Sequence, residues 1–199
     1  MNSTYHLDTK RLLLLPLDRS DIIELLKGSR SKLKGYDLHP EWPDEGLMDA
    51  LPVAANDLLD DSESLIWHPW VMVKKEKWTI VGDAGFKGAP DPEGVVRIGY
   101  SVVPSERRKG FAREALIALL SLASRIEDVV RVQAQVSPGN TASVRVLRGL
   151  GFEHTGRSGD VLIFEKLSVS GQNGGGQGED RLPAKTERLH RDGWIYMGH

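Results

Sequence analysis

Residues 97–152 constrain the fold more than any other part of the chain. A strand pattern over 97–103 runs into the basic turn 107–112, and an amphipathic helix pattern follows at once. Backbone N–H groups and the positive end of a helix dipole meet at such a turn, and Gly110 lets a ligand approach the main chain. The segment therefore predicts an α/β fold with a phosphate-binding turn, although a similar turn can also begin a helix as ordinary solvated surface.

The elements after the turn are clearly patterned. Apolar residues recur at helical spacing from Ala112 to Ile126, and residues 130–136 alternate between apolar and polar. Asn140 is placed to cap a further helix, which Gly151 would end. We therefore predict helix, strand and helix in that order.

The N-terminal half predicts strands and helices of mixed length. Residues 11–17 form a first strand ended or bulged by Pro16, Asp18 or Ser20 caps the next helix, and residues 28–46 form a loop with short helical pieces. Pro52 would kink or shorten a helix over 47–58. The remaining predicted strands cover 65–73, 78–87, 95–103 and 161–167.

Bulk composition excludes several function classes. The formal charge of −2 argues against a nucleic-acid partner, and the lack of cysteine removes disulfides and thiolate chemistry. We expect no metal site, because the sequence has neither cysteine nor a His-Glu-x-x-His motif. We also expect no membrane association and a cytoplasmic location, because the sequence has no long apolar run and no signal peptide.

The chain divides into a domain over 1–167 and an appendage over 168–199. The appendage begins with a Gly-rich linker and ends with the apolar residues Trp194 to Met197. This end could add a strand to its own sheet or a neighbour's, fold back over a cleft of the domain, swap across a homodimer, or be dispensable.

The basic turn, Asn140 with Ser143, and Gly151-Phe152 together resemble the acetyl-CoA-binding core of the GNAT N-acetyltransferases. The opening Thr9-Lys10-Arg11-Leu12 is similar to that of the bacterial ribosomal-protein-alanine acetyltransferases. The resemblance covers residues 8–167. It implies a mixed, mostly antiparallel sheet that splays between its fourth and fifth strands and is flanked by helices.

The resemblance also implies a cofactor site for acetyl-CoA as acyl donor. Its pyrophosphate would lie on the turn, and its pantetheine arm would pair with the end of the fourth strand. The implied cofactor-binding residues are Val102, Val103, Arg108, Lys109, Gly110, Phe111, Ala112, Arg113, Asn140 and Ser143.

In this family an amine attacks directly within a ternary complex, and the backbone N–H of Val102 would polarise the carbonyl. Related sequences often carry a Glu that acts as the general base where this chain has Arg97. Many also carry a Tyr that protonates the leaving thiolate where this chain has Leu147. The remaining candidates for the base are Asp83, Glu93 and His68, and a water chain without a dedicated base is the alternative.

The acceptor pocket is expected between residues 28–49 and the ends of the central strands. Tyr36, His39, Trp42, Trp67 and Trp70 are candidate walls, and Arg97 could bind a carboxylate or phosphate of the acceptor. The acceptor is a primary amine on a small molecule or a protein N-terminus. The alternative function is an acyl-CoA-binding sensor without turnover.

Overall fold

The computed structural model describes residues 5–28, 30–57 and 62–168. The predictions for the appendage, including its Trp194 to Met197 end, lie outside these residues. Within these ranges the sheet has ten strands. They are β1 (Leu7–Asp8), β2 (Leu12–Pro16), β3 (Lys32–Leu33), β4 (Tyr36–Leu38), β5 (Pro69–Lys74), β6 (Thr79–Phe86), β7 (Val95–Val102), β8 (Arg131–Val136), β9 (Glu153–Ser158) and β10 (Val161–Leu167).

Four α-helices accompany the sheet in the described part of the chain. They are α1 (Arg19–Leu26), α2 (Glu45–Asp57), α3 (Phe111–Ala123) and α4 (Thr141–Gly149). Asp18 caps α1 in a capping box with Asp21, and Asn140 caps α4 as predicted. In the described ranges, none of these helices has the length and apolar character needed to cross a bilayer.

The main path of the sheet runs β1-β2-β5-β6-β7-β8-β10-β9. Its neighbours are antiparallel except β7 and β8, which are parallel and pair only from Val95↔Arg131 to Ile98↔Ala134. After the last pair, β7 continues to Val102 and β8 continues to Val136, but the two strands no longer pair with each other. The predicted mixed, mostly antiparallel sheet that opens between these two strands is confirmed.

The core explains why α3 is so well defined. Its apolar face, which includes Phe111, Leu116 and Leu119, is buried against the sheet. Fully burying a leucine-sized side chain stabilises a fold by about 1.5–3 kcal/mol. The helix therefore holds the basic turn at its N-terminus in a fixed position beside β7.

Two local predictions were wrong. The loop over 28–46 contains the β3–β4 hairpin instead of helical pieces ahead of α2, and β4 pairs in parallel with β6. Pro52 lies inside α2, and its predicted effect on the course of that helix stays a prediction. The strand predicted from residue 65 begins at Pro69, because Ser62–Trp67 form a 3-10 helix.

Candidate active site

The basic turn leaves the N-terminus of α3 open. Gly110, with φ of 85°, is its N-cap and offers no side-chain cap, and Arg108 is also left-handed with φ of 62°. The first helical bond runs from Glu114 N–H to the Gly110 carbonyl. Within the described residues, the N–H groups of Phe111, Ala112 and Arg113 therefore have no acceptor, as an anion site at a helix N-terminus requires.

A clamp from the N-terminal strands fixes this turn. The Arg11 guanidinium donates to Glu114 Oε2 at 2.6 Å and to the Lys109 carbonyl at 2.8 Å, and its Cζ lies 4.6 Å from the Phe111 ring centroid. Thr9 Oγ1 donates to Glu114 Oε1 at 2.7 Å. Although burial opposes the charge, these bonds lower the pKa of Glu114. The clamp gives the Thr9 and Arg11 sequence pattern a structural role.

The end of β7 presents main-chain groups to the opening between β7 and β8. Val103 N–H donates to the Val81 carbonyl at 3.0 Å, so the neighbouring residue Val102 directs its N–H and carbonyl away from β6. The Val102 carbonyl accepts a hydrogen bond from Arg107 Nε at 2.8 Å. The Val102 N–H is thus oriented to stabilise negative charge in the opening.

Helix α4 forms the other wall of the opening. Asn140 Oδ1 accepts from Ser143 N–H at 3.0 Å, and Tyr100 Oη donates to the Ser143 carbonyl at 3.3 Å. The predicted residues Asn140 and Ser143 both line the cleft. The tyrosine hydroxyl links this wall to β7.

One cleft of about 1210 Å³ joins the turn, the opening and a second region under α2. In that second region, Asp83 on β6 is 8% exposed, and its Oδ2 accepts a hydrogen bond from Trp42 Nε1 at 3.0 Å. Burial raises the pKa of Asp83 to about 7, against the lowering by the Trp42 hydrogen bond and with a further increase from Asp44. A carboxylate with this pKa suits a general base near neutral pH.

Asp44 connects α2 to the sheet above this carboxylate. Its Oδ1 accepts from Leu47 N–H at 3.0 Å, as an N-cap does, and its Oδ2 accepts a bond from the Ser101 hydroxyl. Asp83 and Ser101 are cross-strand partners, so their side chains lie on the same face. Two carboxylates therefore face this end of the cleft.

Several predicted residues do not line the cleft. Tyr36 stacks on Trp78 with 6.0 Å between ring centroids, and Trp67 packs edge-on against Phe86 at 5.3 Å. Both aromatics are therefore engaged in packing. Trp42 reaches the cleft only indirectly, because its indole N–H donates a hydrogen bond to Asp83.

Arg97, Val103 and Lys109 also lie outside the cleft lining. Arg97 is exposed and forms no ion pair with Asp83. The main chain of Val103 is already bonded, because its N–H meets Val81 and its carbonyl accepts from Glu106 N–H at 3.0 Å. The Lys109 ammonium pairs with Glu106 at 2.9 Å. Val103 thus has both main-chain groups bonded within the fold, whereas the Lys109 N–H, the group predicted to bind phosphate, has no acceptor among the described residues.

The other predicted residues of the acceptor pocket have structural positions. His68 and Trp70 are buried, and the Trp70 indole donates to the Ile66 carbonyl. His39 lies at the surface near Ser105, at 3.3 Å between Nε2 and Oγ, and Glu93 belongs to an exposed turn. None of the four lines the cleft. Of the three candidate bases, only Asp83 does.

Sequence reasoning missed four charged residues of the cleft, Asp44, Lys87, Glu106 and Arg145. An Asp directly before the helix that begins at Glu45 signals an N-cap, but nothing local places that carboxylate above Asp83. Within the described ranges, no group of His, Asp and Glu could hold a metal ion.

Comparison with known proteins identifies relatives of this chain. Residues 11–153 match the family model for the acetyltransferase (GNAT) domain. The uncharacterized N-acetyltransferase YjdG of Bacillus subtilis (strain 168) is 34% identical over 148 residues, which make up 73% of this chain and 88% of that protein.

Solved structures share the fold at lower identity. The ribosomal-protein-S5-alanine acetyltransferase from Vibrio fischeri has a TM-score of 0.60 and 18% identity over 83% of this chain and 97% of its own. The ribosomal L7/L12 alpha-N-protein acetyltransferase RimL, solved in complex with coenzyme A, has the same TM-score and identity over 83% of this chain and 99% of its own.

Proposed function

The chain belongs to the GNAT family of N-acetyltransferases, and we propose that it moves an acetyl group from acetyl-CoA to a primary amine by direct attack in a ternary complex. The observation that carries the proposal is the buried carboxylate of Asp83. It lies in the same cleft as the Val102 main chain and the open N-terminus of α3. A base, a site for a developing negative charge and a phosphate site thus adjoin one another.

The residues of the cleft fit acetyl-CoA. The unpaired N–H groups of Phe111, Ala112 and Arg113 would hold its phosphates, beside the Arg108 side chain. The opening between β7 and β8, with Asn140 and Ser143 on its far wall, would hold the pantetheine arm. Acetyl-CoA supplies a thioester carbonyl for acyl transfer. Val103 is not part of this proposal, because its N–H and carbonyl are both bonded within the fold.

The chain's own groups prepare the amine and the carbonyl. Amines carry a proton near pH 7, since their pKa values lie between about 8 and 10.4. The Asp83 carboxylate would accept that proton, while the Trp42 indole holds the carboxylate in place. The Val102 N–H would stabilise negative charge on the carbonyl oxygen. Holding both reactants in one cleft supplies much of the remaining acceleration.

The acceptor class is a primary amine of a small molecule or of a protein N-terminus. RimL acts on the α-amine of a ribosomal protein by its name, and this motivates including peptides among the test substrates. Leu147 occupies the position where many relatives carry a tyrosine that acts as a general acid. The leucine is fully buried and has no proton to donate. A cytoplasmic location and a homodimer stay predictions.

The test has two stages. Thermal unfolding of the full chain is followed with acetyl-CoA and with desulfo-CoA, and a ligand at 100 times its Kd should stabilise the fold by about 2.7 kcal/mol. A panel of amines is then assayed for release of the CoA thiol. Stabilisation without thiol release from any amine would favour a sensor, and no stabilisation at millimolar ligand would refute the proposed cofactor site.

A further inference from the structure

The acceptor region of the cleft has a patterned floor. Cross-strand pairing places Asp83 opposite Ser101 and Gly85 opposite Gly99, so all four residues share one face of the sheet. The two glycines leave this floor without side chains. Pro69 closes one side, because a Cβ at Gly85 would lie 2.8 Å from its Cα.

Lys87 lies across this floor. A Cβ built on Gly99 would meet Lys87 Cε at 3.0 Å and Nζ at 3.8 Å, so the lysine side chain runs over the glycine into the cleft it lines. No carboxylate pairs with its ammonium within the described part of the chain. Among the described residues this cation has no ionic partner, so it is available to bind an anion in the cleft.

The opposite end of the floor is acidic. Asp83 and Asp44 both line the cleft there, and Ser101 binds Asp44. Ser101, beside the two carboxylates, and Gly99, which the lysine crosses, thus lie about 6.6 Å apart along β7. This length is on the scale of a small zwitterion that makes a hydrogen bond of about 2.8 Å at each end.

Resting on the proposed function, we infer that the acceptor carries a carboxylate a few bonds from its amine. The amine lies at the Asp83 end of the floor and the carboxylate at Lys87. A free amino acid has this chemistry, and so does a peptide N-terminus followed by an acidic side chain. In both, charge complementarity turns the amine toward the base and the Val102 N–H.

Lys87 takes the role that the sequence suggested for Arg97. The two residues are neighbours, since Lys87 N–H donates to the Arg97 carbonyl at 2.8 Å. Arg97 stays outside the cleft, whereas the Lys87 side chain crosses Gly99. Arg97 is therefore the rival cation that the experiment must separate.

The experiment measures kcat/KM for two matched substrate pairs with the full chain and acetyl-CoA. One pair is alanine and alaninamide; the other is a short peptide with aspartate or asparagine in second position. The wild type is compared with Lys87→Met, the conservative Lys87→Arg, and Arg97→Met. Lys77→Met is the control, because Lys77 is exposed at the opposite end of β6. Comparing the same substrates across variants cancels differences in amine reactivity.

We expect Lys87→Met to lower the acid-to-amide ratio at least about tenfold for one of the pairs. Lys87→Arg should keep most of the ratio, and Lys77→Met should keep all of it. The affected pair tells a free amino acid from an acidic N-terminus. An unchanged ratio in Lys87→Met, or a ratio lost in Arg97→Met instead, overturns the inference alone. Absence of thiol release from every amine, with acetyl-CoA still bound, overturns the proposed function as well.

Discussion

Replacing Asp83 with asparagine separates the charge of this residue from its shape. The amide keeps an oxygen that can accept the Trp42 indole N–H, so the hydrogen bond of the folded state survives. What disappears is the buried carboxylate, whose pKa burial raises to about 7. Activity and stability then respond in ways that can be calculated separately.

For activity, the carboxylate must be ionised to accept a proton. The kcat/KM of the wild type should rise tenfold per pH unit below about pH 7 and level off above it. Asp83→Asn should lose this rise and lower the plateau by about 10²–10⁴-fold. A variant that keeps the wild-type pH profile would refute the assignment of Asp83 as the base.

For stability, the free energy of unfolding changes with pH in the opposite direction to that expected for a salt-bridged carboxylate. The folded pKa, about 7, lies above the ordinary value of 3.8, so between these values the folded state holds a proton that the unfolded state has released. The free energy of unfolding therefore falls as pH rises, by about 4 kcal/mol in total at 1.36 kcal/mol per pKa unit. The loss is complete only above about pH 7.

Urea unfolding at several pH values measures this effect. Asparagine does not titrate, so the stability difference between the variant and the wild type should shift by about 3 kcal/mol in favour of the variant from pH 5 to pH 8. A difference independent of pH would mean that the carboxylate is ionised over the whole range, and the argument from burial would fail.

Three further substitutions test the parts that support this chemistry. Trp42→Phe removes the hydrogen bond that lowers the pKa of Asp83, so the midpoint of the pH profile should move to higher pH; a midpoint that stays in place contradicts this. Arg11→Ala breaks the clamp on the basic turn and should raise the KM for acetyl-CoA by roughly tenfold, with a smaller effect on kcat. Gly110→Ala forces a side chain into a left-handed position and should cost about 1–2 kcal/mol in urea unfolding. Gly139→Ala, where a Cβ meets nothing within 4 Å, is its matched control, and equal losses would rule out backbone strain as the cause.

The half of the cleft at the basic turn could be predicted because its signals are local. The turn, the start of α3 and the cap at Asn140 each follow from a few neighbouring residues, and the structure reproduces all three. The strand Glu153–Ser158 was missed because it is polar and largely exposed, so it has no alternating pattern. Its pairing with β10 is all that marks it as a strand.

The half of the cleft under α2 could not be predicted because distant residues meet there. The indole that binds Asp83 comes from 41 positions earlier, and the carboxylate that binds Ser101 comes from 57 positions earlier. Both reach the cleft because the β3–β4 hairpin docks on β6, a contact that no local pattern encodes. Tyr36 was predicted as a wall of the acceptor pocket, but this partly buried aromatic stacks on Trp78 outside the cleft.

The short pairing between β7 and β8 has a mechanical consequence. In the described residues, only the four pairs from Val95↔Arg131 to Ile98↔Ala134 join the two parts of the sheet, which are β1 to β7 on one side and β8 to β10 on the other. A ligand in the opening between β7 and β8 would contact both parts of the sheet where their strands do not pair. Binding would then restrict motion between the two parts of the sheet, and hydrogen exchange at β8 and β10 should slow even though the proposed phosphate site lies at α3.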